Sequence, residues 1–249
     1  MSSSDLPEEG RRLVAEAASH GFPLRLIGGV AIWLRASEEA RSALGRDYPD
    51  IDLVVRKRDS RVLRDLLEQL GYAPERVFNA THGAKRLLYH AGNRSYHLDV
   101  FLDVFAMSHK VAFADRLEVE TPTLPAAELL LTKLQVAEVN RKDLSDAAML
   151  LWDHELAAGD GARKINVSHL QSVCADDWGL YTTVVDNLAR LRELLGELVV
   201  DAEAVARIDT RAADLAERLE SAPKSPRWRL RARVGRRKRW YETPEEVVR

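Results

Sequence analysis

Two aspartates separated by one residue carry the clearest chemical signal in this sequence. Asp50 and Asp52 flank Ile51 at the start of the run DIDLVV. Such a run is typical of a β-strand, where residues two apart point to the same side, so both carboxylates face one site. Paired carboxylates repel each other unless a cation neutralises them, and hard oxygen ligands select Mg2+ or Mn2+. The pattern therefore predicts a divalent-metal site.

A third carboxylate would complete that site. Asp99, in the segment HLDVF, stands on a predicted strand between the apolar residues Leu98 and Val100. An unpaired acid is costly in such surroundings, so something is expected to compensate it. Asp103 lies four residues further on the same predicted strand face and is the second candidate for this role.

A pair of glycines precedes the acidic pair. Gly28 and Gly29 end the strand-like segment LRLIGG and open the helical pattern GVAIWLRA. Glycines at a strand-to-helix turn let backbone amides approach phosphate groups at the helix N-terminus. The glycine turn, the acidic pair and the later acid together favour a phosphate-and-metal site over a chance arrangement.

The elements that must position these residues can be read from the hydrophobic spacing. It predicts helices over residues 8–20 and 59–71, and strands at LRLI, DIDLVV, KRLLYH and SYHLDVFLDVF. The Gly-Asn pair in the intervening AGNR suits a hairpin turn. The order predicts an α/β (α+β) domain over residues 1–121, with a mixed sheet and flanking helices.

The periodicity changes from Pro125 onward. Helical spacing covers 125–140, 142–156, 168–196 and 201–221, which predicts an all-helical domain over 122–222. Residues 224–239 then hold nine Lys or Arg and no acid, and removing them from the net charge of -2 leaves about -11. We interpret 223–249 as a basic tail, mobile or docked on something acidic. Its arginines, interleaved with Trp228 and Trp240, predict contact with RNA.

Composition narrows the class of protein. Apolar residues make up 46% of the chain and charged residues 31%, as in a globular protein. Cys174 is the only cysteine, which excludes an internal disulfide and a cysteine-based zinc cluster. No apolar run is long enough to cross a membrane, and the first residues lack the apolar centre of a secretory signal. We therefore expect a cytoplasmic protein without a membrane partner.

The segments LIGGVAIWL, DIDLVV and HLDVF together resemble the nucleotidyltransferase fold superfamily over roughly residues 20–155. The likeness is strongest to the bacterial branch with the nucleotidyltransferases of abortive-infection and toxin-antitoxin systems. Lys133, Asp143 and Asp146 match that branch's lysine and Asp-rich helix start, and Arg46 also fits it. Gly29 and Tyr48 depart from it, because Ser is common at the first position and Ser or Thr at the second.

The resemblance implies two-metal phosphoryl transfer from a nucleoside triphosphate (NTP). Asp50 and Asp52 would bridge two Mg2+ (or Mn2+) ions, and Asp99 would bind one ion and help to deprotonate the acceptor hydroxyl. Gly28, Gly29, Arg46, Lys133 and Asp143 are the implied nucleotide-binding residues, with Lys133 neutralising the triphosphate. Asp143 can also cap the helix that follows it.

Three functions remain open at this point. The first is transfer of a nucleoside monophosphate (NMP) to an RNA hydroxyl, with a tRNA 3' end as the preferred acceptor in a toxin-like role with a cognate antitoxin. The second keeps the chemistry but takes a small molecule, as antibiotic nucleotidyltransferases do. The third is a catalytically silent nucleotide-binding member of the fold.

Overall fold

The computed structural model of the chain describes residues 6–92 and 96–243. These residues form two compact units. The first comprises residues 1–34, 46–105 and 111–125, and the second comprises 35–45, 106–110 and 126–249, with the undescribed positions left aside. The sequence boundary expected after residue 121 lies close to the change of unit after Pro125. Two short segments before Pro125, residues 35–45 and 106–110, belong to the second unit.

The first part of the chain alternates helices and strands up to Ala112. The helices are α1 (Leu6–Ser19), α2 (Gly28–Arg35), α3 (Glu38–Leu44), α4 (Ser60–Gln69) and α5 (Arg76–His82). The strands are β1 (Leu24–Ile27), β2 (Asp50–Val55), β3 (Ala73–Pro74), β4 (Arg86–His90), β5 (His97–Leu102), β6 (Val104–Ala106) and β7 (Lys110–Ala112).

A five-stranded mixed sheet is the centre of the first unit. Its order is β1-β2-β5-β4-β3, and β6 and β7 form a separate two-stranded sheet. Strands β2 and β5 are parallel, while the β1–β2, β4–β5 and β3–β4 pairs are antiparallel. The predicted α/β class with a mixed sheet is confirmed. The predicted β4–β5 hairpin pairing is also observed, although its turn falls partly outside the described residues.

The apolar strands form the core of this unit because both of their faces are covered. Leu53, Val54 and Val55 of β2 are fully buried, as are Leu98 and Val100 of β5. Fully buried strands read as continuous apolar runs, which is how DIDLVV reads after its two acids. The only polar breaks in these two central strands are at the end where Asp50, Asp52, His97 and Asp99 stand.

The remainder of the chain is mainly helical. It contains α6 (Ala126–Leu134), α7 (Arg141–Asp153), α8 (Val167–Asp176), α9 (Trp178–Leu198), α10 (Ala202–Ser221) and α11 (Pro226–Val234). The short strands β8 (Glu155–Ala157) and β9 (Lys164–Asn166) pair in parallel between α7 and α8. The helical character predicted for this region is confirmed, with this small sheet added to it.

The helix predicted over 168–196 is two helices. Asp177 interrupts it in an extended conformation, and its carboxylate accepts hydrogen bonds from the backbone N–H groups of Gly179 and Leu180. Such N-capping satisfies donors that the start of a helix leaves without an intrahelical partner. The chain therefore ends α8 and starts α9 within one residue.

The basic C-terminal segment is folded over its described part. Ser225 caps α11 by accepting from the backbone N–H of Trp228, and Pro226 occupies the first turn. Helix α11 lies against α8 and α9 of the same unit. The segment is thus docked through residue 243, and residues 244–249 of the predicted tail lie outside the described residues.

Within residues 6–92 and 96–243, the structure has no helix of the length and apolarity needed to span a membrane.

Candidate active site

Strand register places the three predicted aspartates on one face of the sheet. Asp52 of β2 is the lateral neighbour of Asp99 on the parallel strand β5, and Asp50 pairs in register with His97. Neighbouring strands lie about 4.8 Å apart, and residues two apart on a strand share a face. Asp50, Asp52 and Asp99 therefore belong to one acidic cluster. His97 Nε2 lies 3.5 Å from a carboxylate oxygen of Asp50.

The glycine turn lies directly against this cluster. Gly28 follows β1 at the point where Ile27 pairs with Asp52, and its backbone has a φ of 68°. A Cβ at this position would overlap the Asp52 carboxylate. Two independent constraints, the left-handed backbone and the contact with Asp52, therefore both favour glycine here.

Gly29 lies against Arg46 and Tyr48. Arg46 fits the toxin branch that the sequence resembles, and Tyr48 departs from it. A Cβ on Gly29 would collide with the ring of Tyr48 and would lie 2.9 Å from Nη2 of Arg46. The Arg46 guanidinium stacks over the Tyr48 ring, 4.3 Å from its centroid. Tyr48 is buried, so its ring forms a fixed support that holds Arg46 beside the glycine turn.

Asp99 forms a bidentate ion pair with Arg86 of β4. Arg86 Nε donates to Asp99 Oδ1 at 2.6 Å, and Nη2 donates to Oδ2. Asp99 is only 5% exposed. The sequence predicted that a partner would compensate the buried charge of Asp99, and that partner is the guanidinium of Arg86. Sequence reasoning missed Arg86, because its place beside Asp99 depends on the β4–β5 register, which a single sequence does not reveal.

The donor set fits Mg2+ or Mn2+ at Asp50 and Asp52. In the described part of the chain, no three His, Cys, Asp or Glu side chains are arranged to hold a metal ion. However, Mg2+ in nucleotide sites usually binds one or two carboxylates and takes its other ligands from phosphates and water. Asp50 and Asp52 match that requirement, whereas both oxygens of Asp99 accept hydrogen bonds from Arg86.

The structure removes Asp103 as an alternative third ligand. Strand β5 ends at Leu102, and Asp103 has a left-handed backbone with a φ of 62°. Its carboxylate accepts a hydrogen bond from the backbone N–H of Lys57 at 2.9 Å. Asp103 therefore caps the segment after β2, at the end of the strand opposite to Asp50.

Lys133 and Asp143 belong to the second unit, on α6 and α7. Lys133 Nζ lies 3.0 Å from Asp143 Oδ1 and 2.9 Å from Asp146 Oδ2. Burial by itself would lower the pKa of Lys133, but the carboxylates of Asp146 and Asp143 outweigh this effect and raise it. Lys133 is therefore a charged, buried bridge between the two helices, and its predicted contact with a triphosphate stays a prediction.

Comparisons with known proteins find similarity among solved structures. No protein-family model matches the chain, and no curated protein matches it. Among solved structures, the chain is similar to the solution structure of the antibiotic-resistance factor ANT(2'')-Ia, at 15% sequence identity and a TM-score of 0.35. The match covers 94% of this chain and 95% of that one. At this degree of similarity, the function has to be argued from the site itself.

Proposed function

We propose that the protein is a metal-dependent nucleotidyltransferase that moves NMP from an NTP to an acceptor hydroxyl. The observation that supports this most is the contact between Gly28 and the Asp52 carboxylate. It joins a turn suited to phosphate with a carboxylate pair suited to Mg2+ in one place. A phosphate at the turn and a metal at the aspartates would therefore be neighbours.

The residues of the first unit supply the parts that such a transfer needs. Asp50 and Asp52 would hold Mg2+, which when bound neutralises the negative charge of the reacting phosphates. The backbone N–H groups at the start of α2 and the guanidinium of Arg46 would orient the triphosphate. The acceptor oxygen would then form a bond to the α-phosphorus, and the bond between the α-phosphorus and the pyrophosphate leaving group would break. The hydroxyl proton would pass to a carboxylate of the cluster.

We favour RNA as the acceptor because the C-terminal segment presents a fixed basic surface. We define this surface as the exposed side chains of Arg227, Arg229, Arg233, Arg237 and Lys238. None of the five forms a side-chain ion pair with a residue in the described ranges. Exposed guanidinium and ammonium groups at fixed positions are suited to phosphate backbones.

Contacts between the C-terminal segment and α9 hold the basic surface in place. The Trp228 ring packs edge-on against Tyr181, with 5.4 Å between centroids, and the Arg231 guanidinium lies 4.6 Å from the Trp178 centroid. Arg236 pairs with Asp186 at 2.7 Å. The acidic partner foreseen for the tail is thus met in part by Asp186 of α9.

A cleft beside the basic surface carries aromatic rings that are suited to stacking on the bases of a single-stranded RNA end. Its lining includes Arg231, Arg239, Trp240 and Tyr241. Bases stack on aromatic side chains without regard to sequence, and arginines contribute cation–π contacts. A tRNA 3' end, which is single-stranded and carries a free hydroxyl, is therefore the first acceptor to test. Activity on tRNA would support the toxin-like role, for which a cognate antitoxin is the expected partner.

The reaction is tested by supplying each of the four α-labelled NTPs with Mg2+ and total RNA. Asp52→Asn removes the charge that holds the metal with little change of shape, so transfer should fall by about 100-fold or more while the fold persists. Asp103→Asn is the matched control, because Asn keeps the cap and tolerates the left-handed backbone. Equal activity of the two variants would contradict the assignment of Asp52.

The acceptor is tested separately through the basic surface. Replacing Arg227, Arg229 and Arg233 together with Gln should weaken RNA binding and reduce the slope of log affinity against log salt by about 2. A control triple variant changes three exposed cations elsewhere, Arg61, Lys164 and Arg207. If the basic-surface variant keeps full RNA use, or if the protein labels only a small hydroxylated compound, the RNA assignment fails and the reaction class stands.

A further inference from the structure

A small pocket lies within the second unit, where the end of α8, the start of α9 and helix α11 meet. Its volume is about 190 Å3. Pockets for drug-sized ligands begin at roughly 300 Å3, so this one suits a single planar group. Its walls combine indole rings, a guanidinium group and carboxylates, those of Trp178, Trp228, Trp240, Arg231, Asp176 and Asp177.

Contacts within the second unit hold the flat walls of this pocket in place. The Trp240 Nε1–H donates to Thr183 Oγ1 at 3.1 Å, and the Trp240 ring meets Trp178 edge-on with 6.2 Å between centroids. The Arg231 guanidinium lies over the Trp178 ring and donates to the Gly235 carbonyl oxygen at 2.7 Å. Unstacked RNA bases stack on such rings and guanidinium planes. The pocket is therefore preformed for a base.

The two carboxylates show which part of a ligand they would face. Asp177 Oδ1 accepts from the backbone N–H groups of Gly179 and Leu180, whereas its Oδ2 accepts no hydrogen bond from a described residue. Asp176 is exposed at the end of α8, and its side chain forms no hydrogen bond or ion pair within the described ranges. Carboxylates repel phosphate, so these two are suited to the hydrogen-bond donors on a base edge.

The four RNA bases differ in the donors that they offer to a carboxylate. Guanine presents an N–H and an amino group side by side, so carboxylate oxygens can accept from both. Adenine and cytosine each present one amino group beside an acceptor nitrogen. Uracil presents one N–H between two carbonyl oxygens, which repel a carboxylate. The expected order of preference is therefore guanine first and uracil last.

We propose that this pocket binds one unstacked base of the acceptor RNA and that Asp176 and Asp177 select guanine over uracil. Arg227 of the basic surface also lines the pocket, so the phosphates beside the bound base would meet that surface. The pocket shares Arg231 and Trp240 with the cleft proposed for a single-stranded end. This inference rests on the proposed RNA acceptor and adds a base preference to it.

The experiment compares four short single-stranded RNAs by fluorescence anisotropy with the full chain. Each RNA consists of uridine except at one central position, which is guanosine, adenosine, cytidine or uridine. All four carry the same phosphates, so a difference in affinity comes from the central base. The RNA with guanosine should bind about tenfold more tightly than the RNA with uridine alone, and the other two should fall between them.

The carboxylates are tested by replacing Asp176 and Asp177 together with Asn. An Asn at position 177 still caps α9, but its amide group opposes the donors of guanine. The guanosine preference should therefore fall to less than about twofold, while affinity for the all-uridine RNA should stay the same or rise, because negative charge is lost. In the matched control, Glu193→Gln with Glu217→Gln removes two exposed charges outside the pocket and should keep the preference.

The outcomes separate this inference from the proposed function. Equal affinity of the unmodified protein for all four RNAs, or a guanosine preference that survives in the Asn variant, would overturn base selection and leave RNA contact intact. An equal loss of affinity for all four RNAs in that variant would make the aspartates structural and would also overturn it. If the unmodified protein binds none of the RNAs, the RNA acceptor fails together with this inference, and metal-dependent transfer to another acceptor stands. The comparison of the four RNAs needs only the unmodified protein, so it decides even where a variant does not fold.

Discussion

At the scale of single residues, Gly28 is required to be glycine both by its backbone conformation and by the carboxylate beside it. Its left-handed φ and its contact with Asp52 are separate reasons for glycine, and they can be distinguished by comparison with Gly21. Gly21 has a φ of 83° and nothing within 4 Å of the place a Cβ would occupy. Alanine at either position carries the same kind of backbone strain, about 1 kcal/mol.

We predict that Gly28→Ala lowers Mn2+ affinity by about tenfold or more, whereas Gly21→Ala leaves it unchanged. The reason is that a methyl group at Gly28 must displace the Asp52 carboxylate from its place beside Asp50, and misplaced ligands lose affinity. Calorimetric titration of both variants with Mn2+ provides the measurement. Equal affinities would show that Gly28 serves the backbone alone.

The parts of the candidate site that the sequence placed next to one another rest on local signals. The spacing of Asp50 and Asp52 and the glycine pair are short-range patterns, and the structure places them against one another. Asp99 was also placed on the right strand, because an acid between two apolar residues in a strand calls for a compensating partner. Arg86, the partner of Asp99, and the position of Asp103, the second candidate, beyond the end of β5 both depend on where strands end and how they align, which is not local information.

At the scale of elements, α6 and α7 are joined by a buried ionic contact. Lys133 is 9% exposed and Asp146 is fully buried, so the pair is removed from water together with most of Asp143. Such a pair is costly to break from one side, because the remaining charge stays buried. The contact is therefore a structural requirement of the helical unit, whatever else Lys133 binds.

We predict that Lys133→Met destabilises the protein by roughly 3–5 kcal/mol, because Asp146 loses its buried cation. Adding Asp146→Leu should recover much of this loss, since an apolar pair often replaces a buried ion pair without cost. Asp143→Asn, which affects the more exposed acid, should cost less. Urea unfolding of the four proteins tests this order. Unchanged stability with lost NTP affinity would instead support the triphosphate role implied by the family resemblance.

Element boundaries were predicted where the hydrophobic period was long and uninterrupted. Strand β2 and the helices α1, α7 and α10 follow the expected spacing, whereas α6, expected over 125–140, ends at Leu134. The division of 168–196 did not show because Asp177 caps α9 without breaking the apolar period. Helix α3 was also missed. Its signal was Ser37 ahead of Glu38 and Glu39, and the Ser37 side chain accepts from the backbone N–H of Ala40. Strands β8 and β9 span three residues each, too few for a period.

At the scale of the whole molecule, the excess of positive charge in residues 224–239 forms the basic surface of the folded protein. The basic segment is folded over its described part, because Trp228 and Trp240 pack against Tyr181 and Trp178 of α9. The five side chains of the basic surface remain exposed. Composition left open whether the segment is mobile or docked, since it cannot show that Trp228 and Tyr181 pack together. This packing makes any deletion of residues 224–249 a poor test of RNA binding, because it would also uncover Tyr181 and Trp178.

Acid sensitivity is a further property of the whole fold, and His154 is a defined source of it. This histidine ends α7, is 1% exposed, and shares a hydrogen bond between its Nδ1 and the Leu150 carbonyl oxygen at 3.0 Å. Burial first, and then the positive charge of Arg35, lower the pKa of His154 to about 4, although Asp153 opposes the change. The imidazole is therefore neutral in the folded protein at pH 5, whereas in the unfolded chain it is mostly protonated.

We predict that this histidine lowers the free energy of unfolding by about 2 kcal/mol between pH 7.5 and pH 5. The sign follows from proton binding: below an unfolded pKa of about 6.5 the unfolded chain binds the extra proton, so stability falls with pH until the folded pKa near 4 is reached. His154→Gln removes the titrating group, so the stability difference between the variant and the unmodified protein should change by this amount over the interval. Urea unfolding at the two pH values measures it. Parallel pH profiles for the two proteins would show that His154 is protonated to the same extent in the folded and unfolded states.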